Sequence, residues 1–235
     1  MPWEHHNTGS ETLRRMEALE RYTEWIIENI HPWIGNHVLE VGAGIGNVSR
    51  YLLDRKKLIL TDVQEEYLDA LRNKFGSLPN ITIERYNLEE SGEHLRNHAI
   101  DTILVLNVLE HISDDTHALR DMASLLVPGG RIIIQLPAHR LLFGSLDRNL
   151  DHFRRYTRKE IIRKLAASGL KPEYISNFNM FGALGWFISS RILRKKILPE
   201  GQLRIFNRLT PLFMAIERKF PAPFGLSILA VGRKV

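Results

Sequence analysis

The stretch Val38-Leu39-Glu40-Val41-Gly42-Ala43-Gly44-Ile45-Gly46-Asn47 decides the reading of this chain. A short apolar run of strand character enters three glycines at alternate positions. Glycine reaches positive φ without strain and lets the backbone approach a ligand closely. A dinucleotide-binding turn would read Gly-x-Gly-x-x-Gly. Here the third glycine, Gly46, comes one residue early, and Asn47 stands in the expected place. Glu40, just ahead of the turn, suits a cationic amino group better than a pyrophosphate. Both departures disfavour a nicotinamide dinucleotide, so an NAD-dependent oxidoreductase is kept only as an alternative.

Working outward, four more short apolar runs follow at Leu58–Leu60, Ile81–Ile83, Ile103–Leu106 and Ile132–Ile134. They are rich in Leu and β-branched residues, as strands buried on both faces require. Val48–Leu53, Glu65–Phe75 and Thr116–Leu126 carry apolar residues on one face and read as helices between them. Strand–helix alternation at this spacing predicts βαβ units, a parallel sheet and right-handed crossovers.

Before the first strand, Leu13, Met16, Leu19, Tyr22, Ile26, Ile27 and Ile30 recur at helical spacing until Pro32 and Gly35. After the fifth, Thr157-Arg158-Lys159-Glu160 reads as a capping box opening a helix that ends near Gly169. Strand-like segments at Tyr174–Phe178 and Ser227–Val231 enclose about fifty residues of helical pattern, broken at Pro199-Glu200-Gly201 and Pro221-Ala222-Pro223.

The spacing also places candidate site residues. Thr61-Asp62 closes the second strand, 20 positions after Gly42. A carboxylate there can accept ribose hydroxyls, or it can cap the next helix through Asp62-Val63-Gln64-Glu65. Tyr86-Asn87-Leu88 ends the third strand, where an amide could meet an adenine edge or simply make a turn.

Composition bounds the chemistry. The 235 residues hold no cysteine, which excludes disulfides, thiolate metal sites and a cysteine nucleophile. The net charge of +5 divides unevenly: residues 1–138 carry −8 and residues 139–235 carry +13. The basic part can attract an anionic substrate, a membrane surface or nucleic acid, or be plain solvated surface. No secretory signal is evident and Phe178–Leu193, with Arg191 inside, is short of the ~20 apolar residues of a membrane span. A cytoplasmic location is expected.

Together these segments resemble the class I methyltransferases that use S-adenosylmethionine and release S-adenosylhomocysteine. The glycine turn looks like their first motif and Leu58–Asp62 like their second. Asp101–His111 looks like their fourth-strand motif, and Leu126-Val127-Pro128-Gly129-Gly130-Arg131 like the turn before their fifth strand. The likeness covers roughly residues 35–178. It implies a Rossmann-like, doubly wound seven-stranded sheet with the last strand antiparallel. It also implies one domain over 1–235: a helical cap (1–36), a cofactor-binding core (37–178), a helical insertion or lid (179–225) and the last strand (226–235).

Residue roles follow from the resemblance. Glu40, Gly42, Gly44 and Gly46 would surround the methionine portion of the cofactor. Asp62 would hold its ribose, with Val63 on the adenine and Asn87 and Leu88 at the adenine edge. Asn107 and Val108 would lie beside the sulfonium. The resemblance implies a small-molecule or lipid/glycan-intermediate acceptor, methylated on oxygen. A non-catalytic protein of the same fold, serving as an interaction partner, is the alternative.

Methyl transfer is an in-line displacement whose main demands are alignment and exclusion of water. A base is needed only where the acceptor loses a proton. His111 and His139, after the fourth and fifth strands, are candidate bases. His152 and Tyr156 are candidate substrate contacts, with tying down their own loop as the favoured alternative. Some ubiquinone-pathway O-methyltransferases carry Glu-x-x-Glu-His where this chain has Asn107-Val108-Leu109-Glu110-His111. A neutral amide is a poorer ligand for a hard cation, so no metal is expected. Without cysteine, covalent cytosine methylation and iron–sulfur radical chemistry are excluded. Asn107 is not followed by the Pro-Pro-Tyr of adenine-N6 enzymes, and no nucleic-acid partner is expected. For the insertion, Phe178–Leu193 with Arg194-Lys195-Lys196 reads as a lid making peripheral membrane contact, or as a core helix with a basic C-terminus. The second is preferred.

Overall fold

A computed structural model describes residues 19–235, together with Arg15 and Glu17. Leu13 and Met16 of the expected N-terminal pattern lie outside the described residues. Helix α1 (Glu20–Ile30) is followed by strands β1 (His37–Val41) and β2 (Lys57–Asp62), helix α2 (Glu65–Phe75), and strands β3 (Ile81–Arg85) and β4 (Ile100–Leu106). Helix α3 (Asp115–Leu125) leads directly into β5 (Leu126–Pro137). Then come α4 (Ser145–Asn149), α5 (Arg158–Ala167), β6 (Leu170–Phe178), α6 (Met180–Phe187), α7 (Glu200–Lys219) and β7 (Ser227–Lys234).

The seven strands form one sheet in the order β3-β2-β1-β4-β5-β7-β6. β1 to β5 pair in parallel, and β7 inserts antiparallel between β5 and β6. This is the expected Rossmann-like sheet. The last ten residues are therefore an interior strand of the sheet, a closer integration than a segment appended to a 37–178 core.

Each face of the sheet has its own core. On one face Ile103, Val105, Ile132 and Ile134 pack with Leu119 and Met122 of α3 and Ile161 and Leu165 of α5. On the other, Val38, Leu58, Leu104 and Ile133 meet Trp25, Ile26 and Ile30 of α1 and Leu71 and Phe75 of α2. Alternate residues of one strand thus serve opposite cores, which is why the strands read as unbroken apolar runs.

The capping box at α5 forms in full: Thr157 accepts from the Glu160 amide and Glu160 accepts from the Thr157 amide. Two expectations fail. Val48–Leu53 is no helix but a single 3-10 turn, Ser49–Tyr51. Six residues cannot repay a helix nucleus, and here Ser49 turns inward to donate to Glu40 Oε2 at 2.7 Å. Asp62 does not open a capping box either, because α2 begins at Glu65 with Gln64 as its N-cap.

The insertion folds as a helical hairpin. Asn179, at φ 64°, caps α6 by accepting from Gly182 N, and α6 continues as a π turn over Ile188–Ile192. Phe181 stacks on Phe213 of α7 at 4.3 Å, and Ser189 bonds Gln202. The inner face of α7 rests on α1, with Phe206 5.7 Å from Tyr22. Among the described residues, no helix is long and apolar enough to cross a membrane.

Candidate functional site

Four of the five parallel strands deliver candidate residues to the same edge of the sheet, its carboxyl end, where open α/β sheets bind ligands. The β1 turn supplies the glycines, β2 ends in Asp62, β4 in Asn107 and β5 leads to His139. Gly42, Gly44 and Gly46 all have positive φ, at 69°, 55° and 84°. At Gly42 a second demand applies: a Cβ would sit 2.6 Å from Val108 Cγ2. The first glycine is thus fixed by contact between the β1 and β4 loops.

Asp62 holds this turn in place. Its Oδ2 accepts from Gly44 N at 2.9 Å, and its Oδ1 accepts from Val63 N and Gln64 N at 2.8 and 3.1 Å. Three of about four acceptor positions on the carboxylate are taken, which leaves room for one ligand hydroxyl rather than two. Glu40 lies beneath the turn, buried, with Ser49 on one oxygen. Burial outweighs that hydrogen bond and pushes its carboxyl up to about 7.

The adenine-edge candidates are less available than the sequence implied. The Asn87 amide donates to Glu90 and accepts from Glu89 N within its own turn. Leu88 is packed in the core, so only its backbone can face a ligand. Val63 is half-buried beside Asp62, and Asn107 is exposed at φ 56°.

A second cluster sits a few residues beyond Asn107. The 151–156 loop is tied to the ends of β4 and β5: Phe153 N donates to Glu110 O, and Tyr156 N to Pro137 O. This brings His152 onto His111, with ring centroids 4.8 Å apart at 87°. His152 Nδ1 lies 3.2 Å from Asp147 Oδ1, and its Nε2 lies 3.9 Å from Glu110 Oε1. Glu110 is fully buried, and neither carboxylate oxygen has a hydrogen-bond partner. Burial pushes its carboxyl up to about 7. Burial, and then the neighbouring His152, push His111 down to about 3, so it stays neutral near pH 7 and is a weak base.

Asp147 anchors the cluster. Burial pushes its carboxyl up, but His152 and Arg155 outweigh that and leave it below the usual range. It accepts from Arg155 Nε at 2.6 Å, Gly144 N at 2.9 Å and Trp186 Nε1 at 3.2 Å. The hairpin is thereby wired to the site through Trp186. Sequence reading missed Asp147, because a lone Asp in a short helix carries no spacing signal.

Tyr156 corrects the list of substrate contacts. Its ring is buried, and its hydroxyl donates to Asp115 Oδ2 at 2.8 Å, within a network that includes Lys164 and Arg154. It ties the loop down, as the structural alternative held. His139 sits at φ 58° with Nε2 accepting from Gly225 N at 3.4 Å, so it is joined to the β7 entry and not to the Glu110 cluster.

Residues 39–132 match the sequence model of a family described as a methyltransferase domain. The chain is 29% identical to the methyltransferase GfsG of Streptomyces halstedii over 135 residues, 56% of this chain and 47% of that protein. It is 26% identical to the ubiquinone/menaquinone biosynthesis C-methyltransferase UbiE of Pseudoalteromonas translucida, over 48% of each chain. A highly reducing polyketide synthase of Strobilurus tenacellus is 34% identical over 107 residues, only 4% of its length. The chain thus spans about half, or far less, of these curated relatives. The fold is shared with an S-adenosylmethionine-dependent methyltransferase of Mesorhizobium loti at TM-score 0.61 and 16% identity, over 90% of this chain and 98% of that one.

Sheet order, glycine turn and sequence match define a Rossmann-like methyltransferase domain. Residues 39–132 thus carry a methyltransferase-domain match, and the sheet as a whole has the fold of S-adenosylmethionine-dependent methyltransferases.

Proposed function

We propose that the protein transfers a methyl group from S-adenosylmethionine to an oxygen of a small-molecule or lipid/glycan-intermediate acceptor. One observation carries this reading: the glycine turn packs on Val108, two residues ahead of Glu110, so the turn and the Glu110–His111–His152 cluster lie at the same edge of the sheet. The residues present fit the cofactor. Glu40 offers a buried carboxylate for its ammonium, Gly42 keeps exposed backbone in the turn, and Asp62 keeps one acceptor position for a ribose hydroxyl. Asn107 and Val108 then flank the sulfonium, Val63 and Leu88 the adenine.

When bound, the cofactor supplies an electrophilic methyl group. The chain's own residues align the acceptor and exclude water. The 139–157 loop and the hairpin cover the cluster, and the cluster handles the proton that a hydroxyl must lose. His152, oriented by Asp147, is its adjustable member; this follows the logic of a carboxylate-held imidazole.

The names of the relatives support a second reading, methylation at carbon, because UbiE is a C-methyltransferase. An activated carbon also loses a proton, so the same cluster would serve. The test is turnover with labelled S-adenosylmethionine across a panel of lipid and sugar hydroxyls and activated carbon acids. The carbon chemical shift of a 13C-labelled methyl in the product separates an O-methyl from a carbon–carbon bond. Tight cofactor binding with no turnover on any acceptor would favour the non-catalytic alternative.

A further inference from the structure

We propose that Glu110, His111 and His152 form a binding site for one divalent transition-metal ion of the Zn2+ class. The inference rests on the proposed function only for the ion's role, not for its binding. Each of the three side chains turns one ligand atom into a common space, and these atoms lie within 4.8 Å of one another. The expectation of no metal came from Asn107, which removes the first carboxylate of a Glu-x-x-Glu-His pattern. The fold supplies a third donor from elsewhere, since His152 arrives from a loop 41 residues beyond His111.

Two further observations point to an ion. The Glu110 carboxylate is fully buried with neither oxygen hydrogen-bonded. An orphaned buried carboxylate is costly unless something pairs with it. The neighbouring Arg155 is engaged with Asp147 Oδ1 at 2.6 Å and Ala138 O at 3.0 Å. The second observation is the support behind His152. A metal-bound histidine usually donates its other N–H to a carboxylate, which fixes tautomer and ring orientation. Asp147 stands in that position on Nδ1 and leaves Nε2 facing Glu110.

Donor chemistry sets the ion's class. Two imidazoles and one carboxylate suit Zn2+ and its first-row neighbours, whereas Mg2+ and Ca2+ prefer oxygen ligands. Three protein ligands also leave a coordination position open. An acceptor hydroxyl placed there would become more acidic, which deepens the reading of the cluster as the proton-handling part of the site.

The experiment titrates Zn2+, and separately Co2+, into the tag-free full chain after stripping with a chelator. The wild type is expected to bind one ion at micromolar or tighter affinity, and the Co2+ form to show visible ligand-field bands. Both signals should be lost in His111→Ala and in His152→Asn, whose amide still donates to Asp147. They should persist in His5→Ala/His6→Ala, which removes the two histidines adjacent in the sequence. Circular dichroism checks that each variant is folded. No binding by folded wild type, binding unchanged in the cluster variants, or binding lost in the His5/His6 variant would each overturn the assignment. S-adenosylmethionine titrated into the same samples tests the methyltransferase reading separately, because its site does not include these three side chains.

Discussion

Gly42 and Val108 touch across two loops, such that a Cβ on residue 42 would lie 2.6 Å from Val108 Cγ2. The glycine turn after β1 and the loop after β4 are therefore one packed unit. Gly42→Ala should destabilise the fold by about 2 kcal/mol, combining a left-handed alanine with the clash. Val108→Ala should relieve the clash but not the strain, so the double variant should recover roughly half of that loss. Urea melts of the four proteins measure the coupling; strictly additive losses would mean the loops do not meet.

Set against the cofactor's ammonium as proposed, Glu40 should make cofactor affinity depend on pH. Burial holds its carboxyl at about 7 in the free protein, above its unfolded value. Protonation therefore favours the free fold, and that contribution is lost as pH rises through about 7. An ammonium beside it favours the ionised form. Affinity for S-adenosylmethionine should rise about fivefold from pH 6 to pH 7.5, and Glu40→Gln should weaken binding and flatten that slope. Calorimetry at the two pH values checks this; an unchanged slope in the variant would remove Glu40 from the cofactor site.

Asp147 joins loop, hairpin and cluster. Asp147→Asn leaves the buried Arg155 charge without its partner and should cost about 3 kcal/mol. Trp186 also loses its acceptor, so tryptophan fluorescence should shift in the folded variant. A variant as stable as wild type, with the same spectrum, would contradict the anchoring role.

The membrane-contact alternative for the hairpin can be tested on its exposed apolar residues. Of the fourteen exposed large hydrophobic side chains among the described residues, ten fall between Leu184 and Phe224. Ile205, Leu209 and Leu212 form an exposed row on α7 beside Arg204 and Arg208, and Ile188 and Ile192 lie near Arg191 and Arg194. Apolar and cationic groups on one exposed element suit an anionic bilayer. Flotation with phosphatidylglycerol-containing vesicles should recover the wild type, and pure phosphatidylcholine should not. Ile192→Asn/Leu212→Asn and Arg194→Ala/Lys196→Ala should each lose flotation. Wild type left at the bottom with anionic vesicles would reject membrane contact.

Legibility followed physical scale. The strands could be read because burial on both faces leaves unbroken runs such as Ile103–Leu106, and α5 because its capping box is a local contact. Asp62, Glu40 and the glycines could be read because one turn holds them within a few residues of a strand end. The pairing of His152 with Glu110 could not, since it depends on a loop tied across β4 and β5 by backbone bonds that any sequence could make. The loop-tying role favoured for Tyr156 could be read only as a role, not as a contact, because its partner Asp115 is 41 residues away. The helix expected at Val48–Leu53 failed because Ser49 has a tertiary partner, Glu40, that periodicity does not register.

The central claim, that the Glu40–Gly42–Gly44–Asp62 turn binds S-adenosylmethionine, is tested most directly by isothermal titration calorimetry. S-adenosylmethionine and S-adenosylhomocysteine are titrated into wild type and Asp62→Ala, with folding checked for both. Wild type should bind each ligand at micromolar or tighter affinity, weakened at least tenfold in the variant. Failure of the well-folded wild type to bind either ligand would contradict it and reduce the glycine turn to architecture.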